Sequence, residues 1–89
     1  MGEDIETRRK RLYMRSIRRG IKEMDLILTA FADAHLAGLD DVELALYDQL
    51  LQENDHDLYQ WVTGQVAYPA PYAPLMDRVI AGAEGIVRA

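Results

Sequence analysis

The chain has 89 residues, of which 49% are hydrophobic and 28% are charged, and its formal net charge is -5. This length suits one domain with one core, and the composition is that of a folded protein rather than a disordered tail. Because the sequence contains no cysteine, disulfides, thiolate catalysis and thiolate metal sites are excluded. No apolar run approaches the roughly 18 residues of a membrane-spanning helix, so we predict no membrane insertion.

The charge is divided unevenly along the chain. Residues 1–22 carry eight Lys and Arg against three acids, whereas residues 23–89 carry two against twelve. The sign changes within Arg18-Arg19-Gly20-Ile21-Lys22-Glu23. The first six residues include three acids and lack the apolar region of a secretory signal. We therefore expect a cytoplasmic, bacterial protein.

Apolar residues recur at helical spacing through nearly the whole chain, which predicts an all-α, small single-domain antiparallel bundle of about five helices. The first helix is expected over about Thr7–Arg18, where a narrow apolar stripe is surrounded by arginines. The second, about Ile21–Leu36, has a fuller apolar face and should be central. We predict one domain over residues 1–89, with residues 1–6 and 86–89 frayed.

Gly20 is predicted to join the first two helices, because glycine readily ends one helix or begins another. As the N-cap of the second helix, it would place Glu23 where the carboxylate can reach back to the cap's backbone N–H. Arg18 and Arg19 would lie at the negative end of one helix dipole, and Glu23 and Asp25 at the positive end of the next. Helix-end stability explains this pattern, and a partner could also bind it through charge-assisted hydrogen bonds. We expect Arg19 and Glu23 to be exposed and to contribute little to folding.

The third and fourth helices are marked by caps. Asp40-Asp41-Val42-Glu43 predicts a capping box for a third helix that reaches about Glu53. A short fourth helix should follow a cap at Asn54 or Asp55 and end at Gly64. Trp61 is the expected core anchor of this helix, packed against the second and third helices.

A loop over 65–73 should precede the fifth helix, because Pro69 and Pro71 are incompatible with a helix interior. Tyr68 and Tyr72 in this loop are expected to pack on the bundle, although aromatic residues beside prolines can also form a binding surface. Pro74 suits the first position of the fifth helix.

Side chains for catalysis are scarce. The only serine is Ser16 and the only histidines are His35 and His56. His35 is expected to be half-buried at a helix end. His56 is flanked by acids, but neighbouring residues at a helix start do not converge on one ion. No glycine-rich phosphate loop is present. We therefore predict no catalytic residue, no metal site and no stably bound cofactor.

The basic first helix allows one alternative function, a nucleic-acid or regulatory binding module. Cations along a helix can displace phosphate counterions. The remainder of the domain is acidic, with a sequence pI near 4.8, and would repel a polyanion. A solvated face or a surface for an acidic partner is favoured, and we predict no nucleic-acid partner. The cations concerned are Arg8, Arg9, Lys10, Arg11, Arg15, Arg18, Arg19 and Lys22.

The charged joint resembles a known family signature. Arg18-Arg19-Gly20-x-x-Glu23-x-Asp25 is similar to the RGxxE motif of the succinate dehydrogenase flavinylation and assembly factors. The resemblance extends over about Arg9 to Ile80, in the family's order and spacing. Its other parts are Leu26-Ile27-Leu28 through Phe31, Asp40-Asp41-x-Glu43, Leu50-Leu51-x-Glu53-x-Asp55-x-Asp57-Leu58-x-x-Trp61, and Pro74-Leu75-Met76.

The resemblance implies a small helical assembly factor that is not itself an enzyme. It would bind the flavoprotein subunit of succinate dehydrogenase, and in related cases that of fumarate reductase, and promote covalent attachment of FAD. The client's own site would perform the chemistry, so the factor would hold no stably bound cofactor. Carried over by position, Arg19, Gly20 and Glu23 would bind the partner, with Arg18 and Asp25 as neighbours.

Overall fold

The structure is a computed structural model that describes residues 3–87, and within that range it contains five α-helices and no strand. The all-α fold class is therefore confirmed. Two short 3₁₀ turns, Leu36–Gly38 and Ala70–Tyr72, lie between the helices. The helices are α1 (Ile5–Ser16), α2 (Lys22–His35), α3 (Asp41–Leu50), α4 (Asp55–Val62) and α5 (Ala73–Val87).

The start of α1 differs from the prediction. The Asp4 carboxylate accepts a hydrogen bond from the Thr7 backbone N–H at 2.8 Å, so Asp4 is the N-cap and the helix begins at Ile5 rather than Thr7. Glu3 in turn forms an ion pair of 2.6 Å with Arg11. Residues 3–6, which we expected to fray, therefore cap and begin α1.

The start of α3 and both ends of α4 are determined by local sequence. The predicted capping box of α3 is present, with reciprocal bonds of 2.8 and 3.1 Å between Asp40 and Glu43. Asn54 caps α4 by accepting from the His56 backbone N–H at 2.7 Å. Gly64 follows that helix at φ +83, the left-handed conformation that favours glycine after a helix. Helix α5 extends to Val87 through part of the predicted frayed end, and residues 1, 2, 88 and 89 lie outside the described residues.

Helix α2 is central, as predicted, because it packs against α1, α4 and α5. Its apolar stripe is fully buried, whereas α3 packs mainly against α1. His35 lies half-buried at the end of α2, with its ring 5.3 Å from Phe31. None of the helices within residues 3–87 combines the length and apolar character needed to cross a membrane. The buried stripe of α2 comprises Met24, Ile27, Leu28, Phe31 and Ala32.

Trp61 is a core residue, but its neighbours differ from the prediction. Its side chain is buried, and its ring centroid lies 5.9 Å from that of Tyr72. Tyr72 belongs to the 3₁₀ turn that leads into α5, and α4 packs on α2 and α5. Contact with α2 was predicted, and the proline-containing loop and α5 take the place that we expected the third helix to take. Tyr72 is buried and Tyr68 partly buried, as predicted.

A buried polar contact between α1 and α3 was not predicted. The hydroxyls of Ser16 and Tyr47, both fully buried, share a hydrogen bond of 2.5 Å. Ser16 donates its proton to the Leu12 carbonyl at 2.8 Å, so the Tyr47 hydroxyl is the donor to Ser16. Burial raises the pKa of Tyr47 to about 12 from the ordinary value of 10.0.

This raised pKa predicts a crossing of stabilities at alkaline pH. Below about pH 10 Tyr47 is neutral in both states, and Tyr47→Phe should lower the free energy of unfolding by about 1 kcal/mol through the lost hydrogen bond. Between about pH 10 and 12 Tyr47 ionises only in the unfolded state. The free energy of unfolding of wild type should therefore fall by up to about 3 kcal/mol, whereas Tyr47→Phe, which has no ionising hydroxyl, should not show this decrease. Urea unfolding at about pH 9 and about pH 12 measures both differences. Wild type remaining the more stable protein at both pH values would contradict this account.

Candidate functional site

The segment between α1 and α2, residues 17–21, is the joint where the charge of the chain changes sign. Helix α1 closes when the Ile17 N–H donates to the Tyr13 carbonyl at 3.2 Å. The N-cap of α2 is Ile21, in extended conformation and with no side-chain cap bond. Gly20 is therefore not the N-cap, and Glu23 occupies the second helical position without a capping bond to Gly20. That prediction was wrong, and the Gly20 N–H donates instead to Asp55 Oδ2 at 2.8 Å.

A different carboxylate turns back onto the joint. Asp25 Oδ1 accepts a hydrogen bond from the backbone N–H of Arg19. Asp25 lies in the first turn of α2 and is partly buried. Its carboxylate therefore stabilises the chain reversal between the two helices and is not wholly available to a partner.

Arg19 is not the exposed helix-end charge that the sequence suggested. Its side chain is only 10% exposed, and its Nε and Nη2 atoms each lie 2.8 Å from Asp55 Oδ1. Nη1 donates to the Leu51 carbonyl at 2.9 Å and Nη2 to the Glu53 carbonyl at 3.3 Å. The guanidinium thus binds the turn between α3 and α4, 32 to 36 residues away along the chain.

We refer to Arg19, Gly20, Asp25 and Asp55 as the joint clamp. The Arg19–Asp55 pair is largely shielded from water, with 10% and 16% of the two side chains exposed. Removing one member of such a pair leaves the other charge poorly compensated, and for fully buried pairs this costs about 3 to 5 kcal/mol. The structure contradicts our expectation that Arg19 is exposed, and the shielded pair predicts a larger contribution to folding than a surface charge makes.

The residues that remain accessible around the clamp form a second set, which we call the corner face: Arg18, Lys22, Glu23 and Leu26. All four are exposed, with 50% of Leu26 accessible. Within residues 3–87 neither Arg18 nor Lys22 has an ion-pair partner. Leu26 lies one helical turn beyond Lys22 and Glu23 on the same side of α2. The corner face therefore combines both signs of charge with one apolar side chain.

Sequence reasoning did not single out Leu26. A signal was present, since Leu26 does not belong to the buried stripe of α2 and two charged residues, Lys22 and Glu23, precede it by one helical turn. Exposed leucines are common in isolation, and only the position of this one beside the charged joint makes it informative.

Gly20 exposes its backbone next to the corner face, because it has no side chain to cover it. Within the described residues only Gly64 has a positive φ, so Gly20 does not adopt the left-handed conformation. A Cβ placed there would lie 3.4 Å from Asp55 Oδ2. The glycine is therefore not required by backbone strain, and what it provides is close access to the joint.

The arginines of α1 are largely occupied within the domain. Arg9 donates to the carbonyls of Leu36 and Leu39 at 3.3 and 2.9 Å, while Arg11 and Arg15 pair with Asp48 at 3.1 and 2.6 Å. Their binding to the acidic body neutralises much of the basic stripe. This observation weighs against a nucleic-acid module.

The candidate metal cluster around His56 has other roles. Asn54 caps α4, and both oxygens of Asp55 belong to the joint clamp. Within residues 3–87 no three His, Cys, Asp or Glu side chains are grouped closely enough to hold an ion.

The corner face lies outside two grooves that the described residues form. Their volumes are about 570 and 580 Å³. One lies between α1 and α2 near Tyr13 and Asp33, the other lies beside Trp61 and Ile80, and no residue of the corner face lines either. Small molecules are bound in concave sites, so the corner face is better suited to another protein.

Comparison with known proteins identifies a family that resembles this chain over most of its length. Residues 10–82 match the Sdh5 family, described as flavinator of succinate dehydrogenase. A 62-residue region is 52% identical to succinate dehydrogenase assembly factor 2, mitochondrial, from Meyerozyma guilliermondii, covering 70% of this chain and 46% of that protein. The factor 2-A of Drosophila yakuba is 38% identical over 92 residues, covering 97% of this chain and 57% of that protein.

These relatives are longer proteins. A related factor from Aspergillus flavus is matched over only 21% of its length, so this chain spans between about a fifth and somewhat over half of the relatives described. All three are named as mitochondrial proteins, from two fungi and a fly. Our prediction of a bacterial cytoplasmic location is contradicted by these names.

Proposed function

Because this chain belongs to the Sdh5 family of succinate dehydrogenase flavinators, we propose that it is an assembly factor that promotes covalent attachment of FAD to the flavoprotein subunit of succinate dehydrogenase. The observation that carries the proposal is the family match over residues 10–82, which includes the joint clamp and the corner face. The relatives named above act, by their names, on the assembly of the same enzyme. The flavoprotein subunit of fumarate reductase is a second proposed client.

The corner face is the proposed client-binding surface. Arg18 and Glu23 provide charges of opposite sign before and after Gly20, and Gly20 permits close approach of the client's backbone. Charge-assisted hydrogen bonds to Arg18 and Glu23 would fix the orientation of the client. Arg19 and Asp25 are directed largely into the joint clamp, and we propose that they support this surface from within.

The factor itself performs no chemistry in this proposal. Ser16 is fully buried and engaged by Leu12 and Tyr47, so it is not available as a nucleophile. A flat, charged surface supplies neither an enclosed site for flavin nor a set of convergent catalytic groups. We propose that the client's own residues form the covalent bond and that the factor binds no cofactor stably.

The factor would act by stabilising one conformation of its client. A ligand shifts a conformational equilibrium only by its difference in affinity for the two states, so the corner face must bind the flavinylation-competent state more tightly than the finished one. A polar, charge-steered interface also permits release after flavinylation, since such interfaces associate rapidly and need not be large.

The direct test is to measure covalent flavin on the denatured succinate dehydrogenase flavoprotein by in-gel fluorescence. The flavoprotein is expressed with FAD present, in a strain that lacks its own factor, with and without this chain. We expect strong fluorescence only when the chain is present. Equal covalent flavin under both conditions would contradict the proposed function.

A further inference from the structure

We infer that Asp55 is a positioning residue for the corner face, and that Arg19 acts through Asp55 rather than by touching the client. This inference rests on the proposed function and extends it to a residue on α4, far from the joint in sequence. The sequence marks Asp55 only as a candidate cap of the fourth helix and indicates no contact with the joint.

The Asp55 carboxylate holds two consecutive residues of the joint. Its Oδ1 accepts from the guanidinium of Arg19, with both Nε and Nη2 at 2.8 Å. Its Oδ2 accepts from the backbone N–H of Gly20 at 2.8 Å. One side chain therefore fixes both a side chain and the backbone of the segment that connects α1 to α2.

The clamp continues beyond Asp55 into two further elements. Arg19 donates to the carbonyls of Leu51 and Glu53 in the turn after α3. The Glu53 carboxylate accepts from the hydroxyl of Tyr72 at 2.6 Å, next to the start of α5. The joint is thus tied to the α3–α4 turn, to α4 and to the loop before α5.

Arg18 and Arg19 differ in solvent accessibility, which indicates different roles. Arg18 is exposed, whereas only 10% of the Arg19 side chain is exposed and its nitrogens already donate to three protein groups. A client could bind the Arg19 guanidinium only by replacing these bonds. The geometry therefore suits Arg19 for holding the joint and Arg18 for contact.

A fixed joint matters because Arg18 belongs to it and Glu23 lies just beyond it, in the first turn of α2. Their separation and relative direction depend on the backbone between them, and Gly20, which lacks a Cβ, would otherwise leave that backbone free. A client that binds both charges must order a loose joint at the moment of binding, which lowers affinity even when the charges are unchanged. Loss of the clamp should consequently weaken binding without removing any contact residue.

The main test compares Asp55→Asn with Asp57→Asn. Both substitutions remove one negative charge from the first turn of α4, but Asp57 is exposed and, within residues 3–87, forms no bond to the joint. Binding to the purified flavoprotein subunit is measured by calorimetry at a temperature where circular dichroism shows both variants folded. We expect Asp55→Asn to weaken binding about tenfold or more, a loss typical of a lost preorganising contact, and Asp57→Asn to bind like wild type.

A double-mutant cycle separates positioning from a general loss of stability. If Asp55 acts by placing Glu23, the double variant Asp55→Asn/Glu23→Ala should bind little worse than Glu23→Ala alone, whereas independent effects would multiply. Amide hydrogen exchange gives a local readout, since the Gly20 N–H should exchange faster in Asp55→Asn and remain protected in Asp57→Asn. Where Asp55→Asn proves unfolded, Arg19→Lys serves instead, because lysine keeps the charge but cannot donate as a fork to Asp55, Leu51 and Glu53.

The outcomes distinguish this inference from the proposed function. Wild-type affinity in folded Asp55→Asn, or in folded Arg19→Lys where that variant is needed, would overturn the positioning role and leave the proposed function intact. Multiplicative losses in the cycle would also overturn it. A wild-type protein that neither binds the flavoprotein nor raises its covalent flavin would contradict the proposed function and this inference together.

Discussion

Trp61→Ala is expected to unfold much of the protein population at physiological temperature. Trp61 is 8% exposed, and its ring packs against that of Tyr72. Trp61 belongs to α4, which contacts both α2 and α5. Truncating a buried tryptophan costs about 3 to 5 kcal/mol, and single domains have only about 5 to 15 kcal/mol in total. A domain of this size lies near the lower end of that range, because small domains bury proportionally less surface.

Thermal melting followed by far-ultraviolet circular dichroism measures the effect of Trp61→Ala. Leu26→Ala is the matched control, since Leu26 is also apolar but 50% exposed, and its melting temperature should stay close to that of wild type. Unchanged melting and helicity in Trp61→Ala would show that the core is assigned wrongly. Loss of client binding in Trp61→Ala alone would not identify an interface residue, because an unfolded protein binds nothing.

The sequence predicted most elements of the fold because their determinants are local. Apolar residues at helical spacing identified the central α2, and the capping box at Asp40 and Glu43 fixed the start of α3. Gly64 marked the end of α4 for a reason that depends only on its own φ angle. Each of these features needs only residues that lie within a few positions of one another.

The clamp could not be predicted in the same way, because its partners are distant in sequence. Arg19 and Asp55 are 36 residues apart, and Ser16 and Tyr47 are 31 apart. Composition suggested that Arg19 was one more exposed charge in a basic segment. Only the packing of α1 and α2 against the α3–α4 turn shows that its guanidinium is enclosed.

The same packing explains the uneven charge of the chain. The segment of residues 1–22 is basic and the remainder acidic, which suggested two surfaces of opposite sign. In the folded domain Arg11 and Arg15 lie against Asp48, and Arg19 lies against Asp55. Much of the separation along the chain therefore becomes pairing between the N-terminal segment and the acidic helices. Within residues 3–87, Arg18, Lys22 and Glu23 of the corner face are exposed and have no ion-pair partner.

Substitution of Glu23 should affect flavinylation strongly and stability only slightly. Its side chain is exposed and makes no hydrogen bond within residues 3–87, so its contribution to folding is limited to its interaction with the α2 dipole, about 0.3 to 1 kcal/mol. Glu23→Ala should therefore remain folded, with a free energy of unfolding within about 1 kcal/mol of wild type. Its ability to promote flavinylation should nevertheless fall close to the level seen without the factor.

A control for this substitution is provided by Asp41, an exposed carboxylate in the first turn of α3. Asp41→Ala also removes one negative charge from the first turn of a helix. Asp41 lies at the start of α3, whereas the clamp contacts the turn after the end of α3. Any effect of net charge or of a helix dipole should be shared by the two variants. Only a specific role of the corner face would make Glu23→Ala less active in flavinylation than Asp41→Ala.

We propose above that the corner face is the surface through which this chain promotes flavin attachment. It is tested most directly by in-gel flavin fluorescence of the succinate dehydrogenase flavoprotein in a strain that lacks its own factor, complemented with wild type, Glu23→Ala or Asp41→Ala. We predict full covalent flavin with wild type and Asp41→Ala, and nearly none with Glu23→Ala at an equal amount of folded protein. Covalent flavin restored by Glu23→Ala as fully as by Asp41→Ala would contradict the claim.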